Sequence, residues 1–260
     1  MVLLSACGPA STSSGTPIPP VPGWELVWHD EFDAEAIDTA NWTYDIGAGG
    51  WGNGEAQYYT SRPENARIEN GMLVIEARQE KYEDSYYTSA RLKTQGLQSF
   101  QYGRIEARIK VPVGDGLWPA FWMLGSSFDG TNWPDCGEID IMEYVGREPD
   151  LIIGTLHGPG YSGALGVSQW NRQEYAIADD FHTYTIEWKA GQIDWYYDGE
   201  KYHTVTPADL SGRQWVFDQP FFIILNLALG GTLGGPIGLD TAFPTQYTVD
   251  YVRVYQAAGP

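Results

Sequence analysis

Strand patterns dominate this chain, several of them alternating polar and apolar residues one by one, and helical signals are weak. That pattern constrains the fold most. Successive side chains of a strand point to opposite faces, so alternation marks a strand with one buried and one wet face. Arg104 to Lys110 alternates strictly, Met72 to Arg78 reads as a strand with a polar end, and Tyr247 to Tyr255 alternates again. Tyr184 to Trp188 and Ile193 to Tyr197 flank Lys189-Ala190-Gly191-Gln192, a hairpin signal, and Asp198-Gly199 marks the next tight turn. Phe221 to Leu229 is a nearly continuous apolar run broken by Asn226, and Pro207 to Ser211 suits one short helical turn. Many strands joined by Gly-rich connections predict an all-β domain of two antiparallel sheets packed face to face.

Composition narrows the ligand class. A chain of 260 residues carrying 11 Trp, 17 Tyr and 9 Phe has the apolar mass for one large core and is unlike a disordered chain. The net charge of -19 repels nucleic acid phosphates and anionic membranes, and disfavours sulfated or uronic polymers. A neutral ligand is indifferent to that field. Sugars offer flat C–H faces that stack on Trp and Tyr, and hydroxyls that need paired donors and acceptors.

The two cysteines, Cys7 and Cys136, imply no disulfide framework. Leu4-Ser5-Ala6-Cys7 resembles the lipobox of bacterial lipoproteins, in which the Cys is acylated, and the Ser/Thr/Gly/Pro-rich stretch from Gly8 to Pro22 reads as a tether. Residues 1–22 are therefore expected to be a leader remnant and flexible linker, and 23–260 one catalytic domain. A secreted or cell-envelope location is expected, with membrane anchoring only through a lipid on Cys7. Cys136 has no paired base nearby in sequence and is read as packing.

Glu138, Asp140 and Glu143 fall within six residues. On a strand Glu138 and Asp140 share a face, whereas Glu143 would point away. One inserted residue, a β-bulge, restores it, and Met142 is the expected extra residue. Four strand steps of ~3.3 Å then part the two Glu Cα atoms by ~13 Å, from which the side chains can reach the ~5–5.5 Å carboxyl spacing of a retaining glycosidase. One glutamate would attack as a carboxylate. The other would protonate the leaving oxygen and then deprotonate water. Asp140 between them would raise a neighbour's pKa and share a proton with it. Ile139 and Ile141 support a half-buried strand, and Trp118, Trp122 and Trp133 add an aromatic wall.

Here a resemblance becomes specific. Gly137-Glu138-Ile139-Asp140-Ile141-Met142-Glu143 is similar to the bulged signature E-x-D-x-x-E of glycoside hydrolase family sixteen. Trp28-His29-Asp30-Glu31-Phe32, Trp51-Gly52-Asn53-Gly54-Glu55, Tyr87 to Arg91, Leu117 to Leu124 and Val249 to Tyr255 support the match, which covers about Trp24 to Gln256. The chain looks most like the bacterial laminarinases of that family. The resemblance implies a β-jelly-roll sandwich with a concave cleft and retaining endo-hydrolysis of β-1,3-glucan. It implies Glu138 as nucleophile, Asp140 as supporting carboxylate and Glu143 as general acid/base. It also implies sugar contacts from Asn53, Arg91, Trp118, Trp122, Trp133, His157 and Asn226. A structural Ca²⁺ on the convex side is implied, held by the carbonyls of Glu31 and Gly71 and by Asp250; the chemistry itself needs no cofactor. A monomer acting on a β-glucan is expected. Leu233 stands where relatives often place Trp, so a distal platform is expected to be lost. Alternatives are a mixed-linkage β-1,3-1,4-glucanase, a transglycosylase using the same covalent intermediate, and a non-catalytic carbohydrate-binding jelly roll.

Overall fold

The computed structural model describes residues 17–259. Among the described residues seventeen strands, numbered along the chain, build two sheets. The first runs β15 (Glu200–Val205), β14 (Gln192–Tyr197), β13 (His182–Lys189), β8 (Gly103–Lys110), β17 (Thr245–Ala257), β5 (Met72–Tyr82), β6 (Ser85–Ser89), β3 (Gln57–Tyr59). In addition β1 (Trp24–Asp30) pairs with β17, and β4 (Ala66–Glu69) with β5. The second runs β12 (Val167–Arg172), β11 (Leu151–His157), β10 (Glu138–Tyr144), β9 (Leu117–Gly125), β16 (Phe221–Leu229), β7 (Arg91–Lys93), β2 (Thr43–Tyr44). Pairing is antiparallel except between β3 and β6. The expected sandwich is therefore present, as are the hairpin at 189–192 and the turn at Asp198-Gly199. Pro207–Leu210 forms a 3-10 turn with Thr206 and Asp209 as a reciprocal cap.

The core lies between the sheets. Ile105, Ala107 and Ile109 of β8 and Tyr184, Ile186 and Trp188 of β13 join Phe121 and Met123 of β9 and Ile139 of β10 in one buried cluster. Strand β16 explains its unbroken apolar run. Its odd residues, Phe221 to Leu229, enter this core, while Phe222, Ile224 and Ala228 emerge on the opposite face and line a cleft with Asn226. Both faces of this strand are covered, so both are apolar.

The second sheet also carries the irregularity that matters. Asp140 pairs with Trp122 of β9, but Met142 pairs with Phe121, which leaves Ile141 as the extra residue on that side. Toward β11 the register passes from Asp140–Thr155 to Glu143–Ile153, so Ile141 and Met142 together face Gly154. The bulge is where parity demanded it. Its extra residue corrects the sequence reading, being Ile141 rather than Met142 on the β9 ladder. Both side chains are buried in the core, so two successive residues point inward and Glu143 returns to the cleft face.

The opposite sheet braces this point. Trp195 of β14 is fully buried and its Nε1 donates to the main-chain carbonyl of Asp140 at 2.9 Å. A Cβ on Gly154 would lie 2.6 Å from the Tyr202 hydroxyl and 2.7 Å from Trp195 Cδ1, so only glycine fits there.

Candidate active site

A cavity of about 420 Å³ opens on the outer face of the second sheet. Its floor is β9, β10, β16 and β7, and its walls come from the segment around Trp51 to Glu55 and from Phe128 and Trp133. Glu138, Asp140 and Glu143 all line it, as do Asn53, Arg91, Trp118, Trp122, Trp133 and Asn226. His157 stands beside rather than in it, with Nε2 3.2 Å from Asp140 Oδ2 and 3.8 Å from Glu138 Oε1.

Each glutamate has its own indole donor. Trp133 Nε1 donates to Glu138 Oε2 at 2.7 Å, and Trp118 Nε1 donates to Glu143 Oε1 at 3.1 Å. Trp133 is half-exposed on the rim, whereas Trp118 is buried. Asp140 and Glu143 are themselves buried, and water stabilises their charges little. Burial, then the Asp140 charge, pushes Glu138 up to about 8, against the pull of His157 and the Trp133 N–H. Burial raises Asp140, and raises Glu143 well above the carboxylate range with the Asp140 and Glu138 charges adding to it. Three full negative charges are thus disfavoured, and the group holds a proton at neutral pH. That suits a pair in which one acid must be charged and the other protonated.

The other end of the cavity is a fixed polar chain. Trp122 Nε1 donates to Asn226 Oδ1 at 2.7 Å, Asn226 Nδ2 to the Tyr59 hydroxyl at 3.1 Å, and that hydroxyl to Glu55 Oε2 at 3.1 Å. Glu55 also accepts from Asn53 Nδ2 at 3.1 Å and Gln57 Nε2 at 2.6 Å. Asn226, the polar break in the apolar run, is therefore satisfied internally and presented to the cleft at once. The Arg91 guanidinium lies 4.7 Å from the Trp122 ring centre and 5.2 Å from that of Trp51, with Asp45 3.0 Å from its Nε. It is held between two aromatic rings and the Asp45 carboxylate rather than free to wander.

Trp51, Glu55, Asp45, Lys93 and Phe128 also line the cavity and were not assigned from sequence. Trp51 lies beside Asn53 in the aromatic, Gly-rich stretch 51–55, which held a signal for it but not for Glu55; Asp45 follows β2 and Phe128 sits in a short 3-10 turn, and neither carried one. Leu233 packs with Trp118, Val145 and Ala228, filling a gap beside the cavity rather than offering a platform. Cys136 is fully buried, and burial pushes its thiol up to about 11, with the Glu138 charge adding, which fits packing and not nucleophilic chemistry.

The residues named for calcium lie on the first sheet, away from the acids. Glu31 follows β1, Gly71 is in the turn between β4 and β5, and Asp250 is in β17. Cys7 falls outside the described residues.

A jelly-roll sandwich with paired carboxylates in an aromatic groove defines a glycoside hydrolase. The chain belongs to glycosyl hydrolase family 16, whose model matches residues 53–253. It is 49% identical over 246 residues to a beta-glucanase of Rhodothermus marinus, covering 90% of this chain and 86% of that protein. It is 36% identical over 278 residues to glucan endo-1,3-beta-glucosidase A1 of Niallia circulans, where it covers 94% of this chain but spans only 40% of the relative. The crystal structure of an endo-beta-1,3-glucanase from Pyrococcus furiosus superposes with a TM-score of 0.88 at 48% identity, over 91% of this chain and 96% of that one.

Proposed function

We propose that this chain hydrolyses β-1,3-glucosidic bonds within β-glucan chains with retention of configuration. The observation that carries the reading is the bulge in β10, which puts three pKa-raised carboxylates on one wall of a cavity lined by Trp51, Trp118, Trp122 and Trp133. Glu138 attacks the anomeric carbon while Glu143 gives its proton to the leaving oxygen. A glycosyl ester forms on Glu138 and the leaving sugar departs. Glu143, now charged, takes a proton from water, and the resulting hydroxide displaces Glu138. Asp140 shares a proton with Glu138 in the resting site, and His157 Nε2 lies 3.2 Å from its Oδ2. Arg91, Asn53 and Asn226 hold sugar hydroxyls, and the indoles stack on the rings. The test is NMR of the first anomer released from laminarin, with lichenan as comparison. Early β-anomer is expected; early α-anomer overturns retention, and preferred cleavage of lichenan moves the substrate to mixed-linkage glucan.

A structural Ca²⁺ on the convex sheet is part of this proposal. Strand β17 leaves β5 at Val249–Leu73 and meets β1 only at Val252–Asp30, so among the described residues Asp250 and Tyr251 have no strand partner on that edge. Its register to β8 also shifts between Val249 and Tyr251. Glu31 and Gly71 border that gap in sequence, and an all-oxygen set of carbonyls and one carboxylate suits Ca²⁺. Asp250 Oδ2 meets Arg108 Nη1 at 2.8 Å, a contact with which the ion would compete. The ion would supply no chemistry to the cleft; it would tie three segments of the sheet together.

Export and a lipid on Cys7 are proposed from the motif at residues 4–7 and from physics, because a polymeric glucan does not cross a membrane and must be met outside it. A monomer is proposed because one chain supplies the whole cavity. Membrane fractionation of Cys7→Ser and light scattering test these two readings.

A further inference from the structure

A second cavity, of about 320 Å³, lies where the end of β12 meets the hairpin of β14 and β15. It shares no residue with the cleft. Its aromatic side is a stack of three rings. Tyr197 is buried, His182 lies on it at 5.0 Å and 30°, and Tyr175 lies on His182 at 5.6 Å and 22°. Two hydrogen bonds lock the stack: between the Tyr175 and Tyr197 hydroxyls at 3.2 Å, and between His182 Nδ1 and Asp198 at 2.7 Å. Tyr175 is nonetheless 45% exposed. One face of its ring is spent on His182, and that stack holds the partly exposed ring in place.

The polar groups around it suit a neutral, hydroxyl-rich ligand. Most of the charges are committed: Arg172 pairs with Glu148 and Asp150, and Asp198 with His182 and the Thr183 N–H, while the exposed Lys201 stands 3.8 Å from Asp194 and the acidic Glu200 lies in the same lining. The side-chain amides of Asn171 and Gln173 make no hydrogen bond among the described residues. Free amides beside an immobilised aromatic ring are what a sugar ring needs, and a phosphate or sulfate at Lys201 would also meet the carboxylates of Asp198 and Glu200. The strand between the cleft and this cavity also carries Trp170, 57% exposed, in the cross-strand row Glu143–Ile153–Trp170. That row spans two strand spacings, ~10 Å, from the acid to the edge of the sheet.

We infer that Tyr175 and its stack form a second glucan-binding site, which holds a further stretch of the polysaccharide beyond the β12 edge while another stretch occupies the cleft. The inference rests on the β-glucanase reading for its ligand class. Its consequence is a preference for long or insoluble chains, since two weak sites on one polymer add through effective concentration.

The test separates the two sites. Binding to insoluble β-1,3-glucan is measured by depletion in a Glu138→Gln background, with and without Tyr175→Ala, and turnover of a short soluble laminari-oligosaccharide is measured in the otherwise wild-type chain. The expected result is binding about three- to tenfold weaker, the loss of one stacking contact, with short-substrate turnover unchanged. Tyr175→Phe keeps the ring and is expected to keep the binding. Unchanged binding in Tyr175→Ala overturns the inference. So does an equal fall on polymer and short substrate, which would assign Tyr175 to folding or to the cleft. Turnover of the short substrate by the unmodified chain checks the hydrolase reading independently.

Discussion

The two indole donors make the acids separable. Trp133 N–H lowers the pKa of Glu138, and Trp118 N–H lowers that of Glu143. Trp133→Phe keeps a ring but removes a donor to the charged form, so Glu138 would hold its proton to higher pH. The acidic limb of the kcat/KM profile should therefore move toward alkaline pH. Trp118→Phe should raise Glu143 and move the alkaline limb upward instead, since the acid then stays protonated further. A shift of the same limb in both variants would contradict the roles given to the two glutamates. At this scale the sequence was informative. The three acids and six of their expected neighbours were legible because each sits on a strand or beside the quoted motifs. Glu55 was hidden: a lone Glu in a Gly-rich loop has no reading until Tyr59, Gln57 and Asn53 are seen to converge on it.

At the scale of the element, the bulge is held from behind. Trp195→Phe would leave the Asp140 carbonyl without its 2.9 Å donor, a buried loss of about 1–3 kcal/mol. Gly154→Ala would force a Cβ against Tyr202 and Trp195, with a similar cost of about 1–3 kcal/mol from overpacking. Both should lower Tm, and both should lower kcat more than they raise KM, because they shift acids and not sugar contacts. Thermal melts with steady-state kinetics on laminarin check this; loss of Tm with kcat intact would mean that the brace serves the fold alone. The existence of the bulge followed from parity, because Glu143 lies an odd number of residues from Glu138. Which residue is extra did not follow, since Ile141 and Met142 are both apolar. Only the ladders with Phe121 and Gly154 distinguish them.

Across the whole molecule, the first sheet has a place where its longest strand changes partners. If Ca²⁺ closes that gap between β5 and β1, a chelator should lower Tm by several degrees, and added Ca²⁺ should restore it. Asp250→Ala should remove the response, whereas kcat at low temperature should stay near that of the parent. Melts that ignore chelator would remove calcium from the fold. The sandwich itself was legible from alternation, and its two layers from the count of strands. The sheet order was not, because β17 pairs with β8, β5 and β1 from distant parts of the chain. The second cavity was equally hidden, since Asn171, Tyr175, Tyr197 and Glu200 meet only after β12 and the 192–205 hairpin are in place.

Strand β16 divides its residues by parity between two masters. Odd positions answer to the inter-sheet core, and even positions to the cleft floor and the small clusters beneath it. Replacing Phe222 or Ile224 alters the trench that a sugar meets, while Phe221, Ile223 and Leu225 are sealed inside. Changes at every second residue therefore reach the cleft first, although Phe222 and Ile224 must still pack against Leu124 and Cys136.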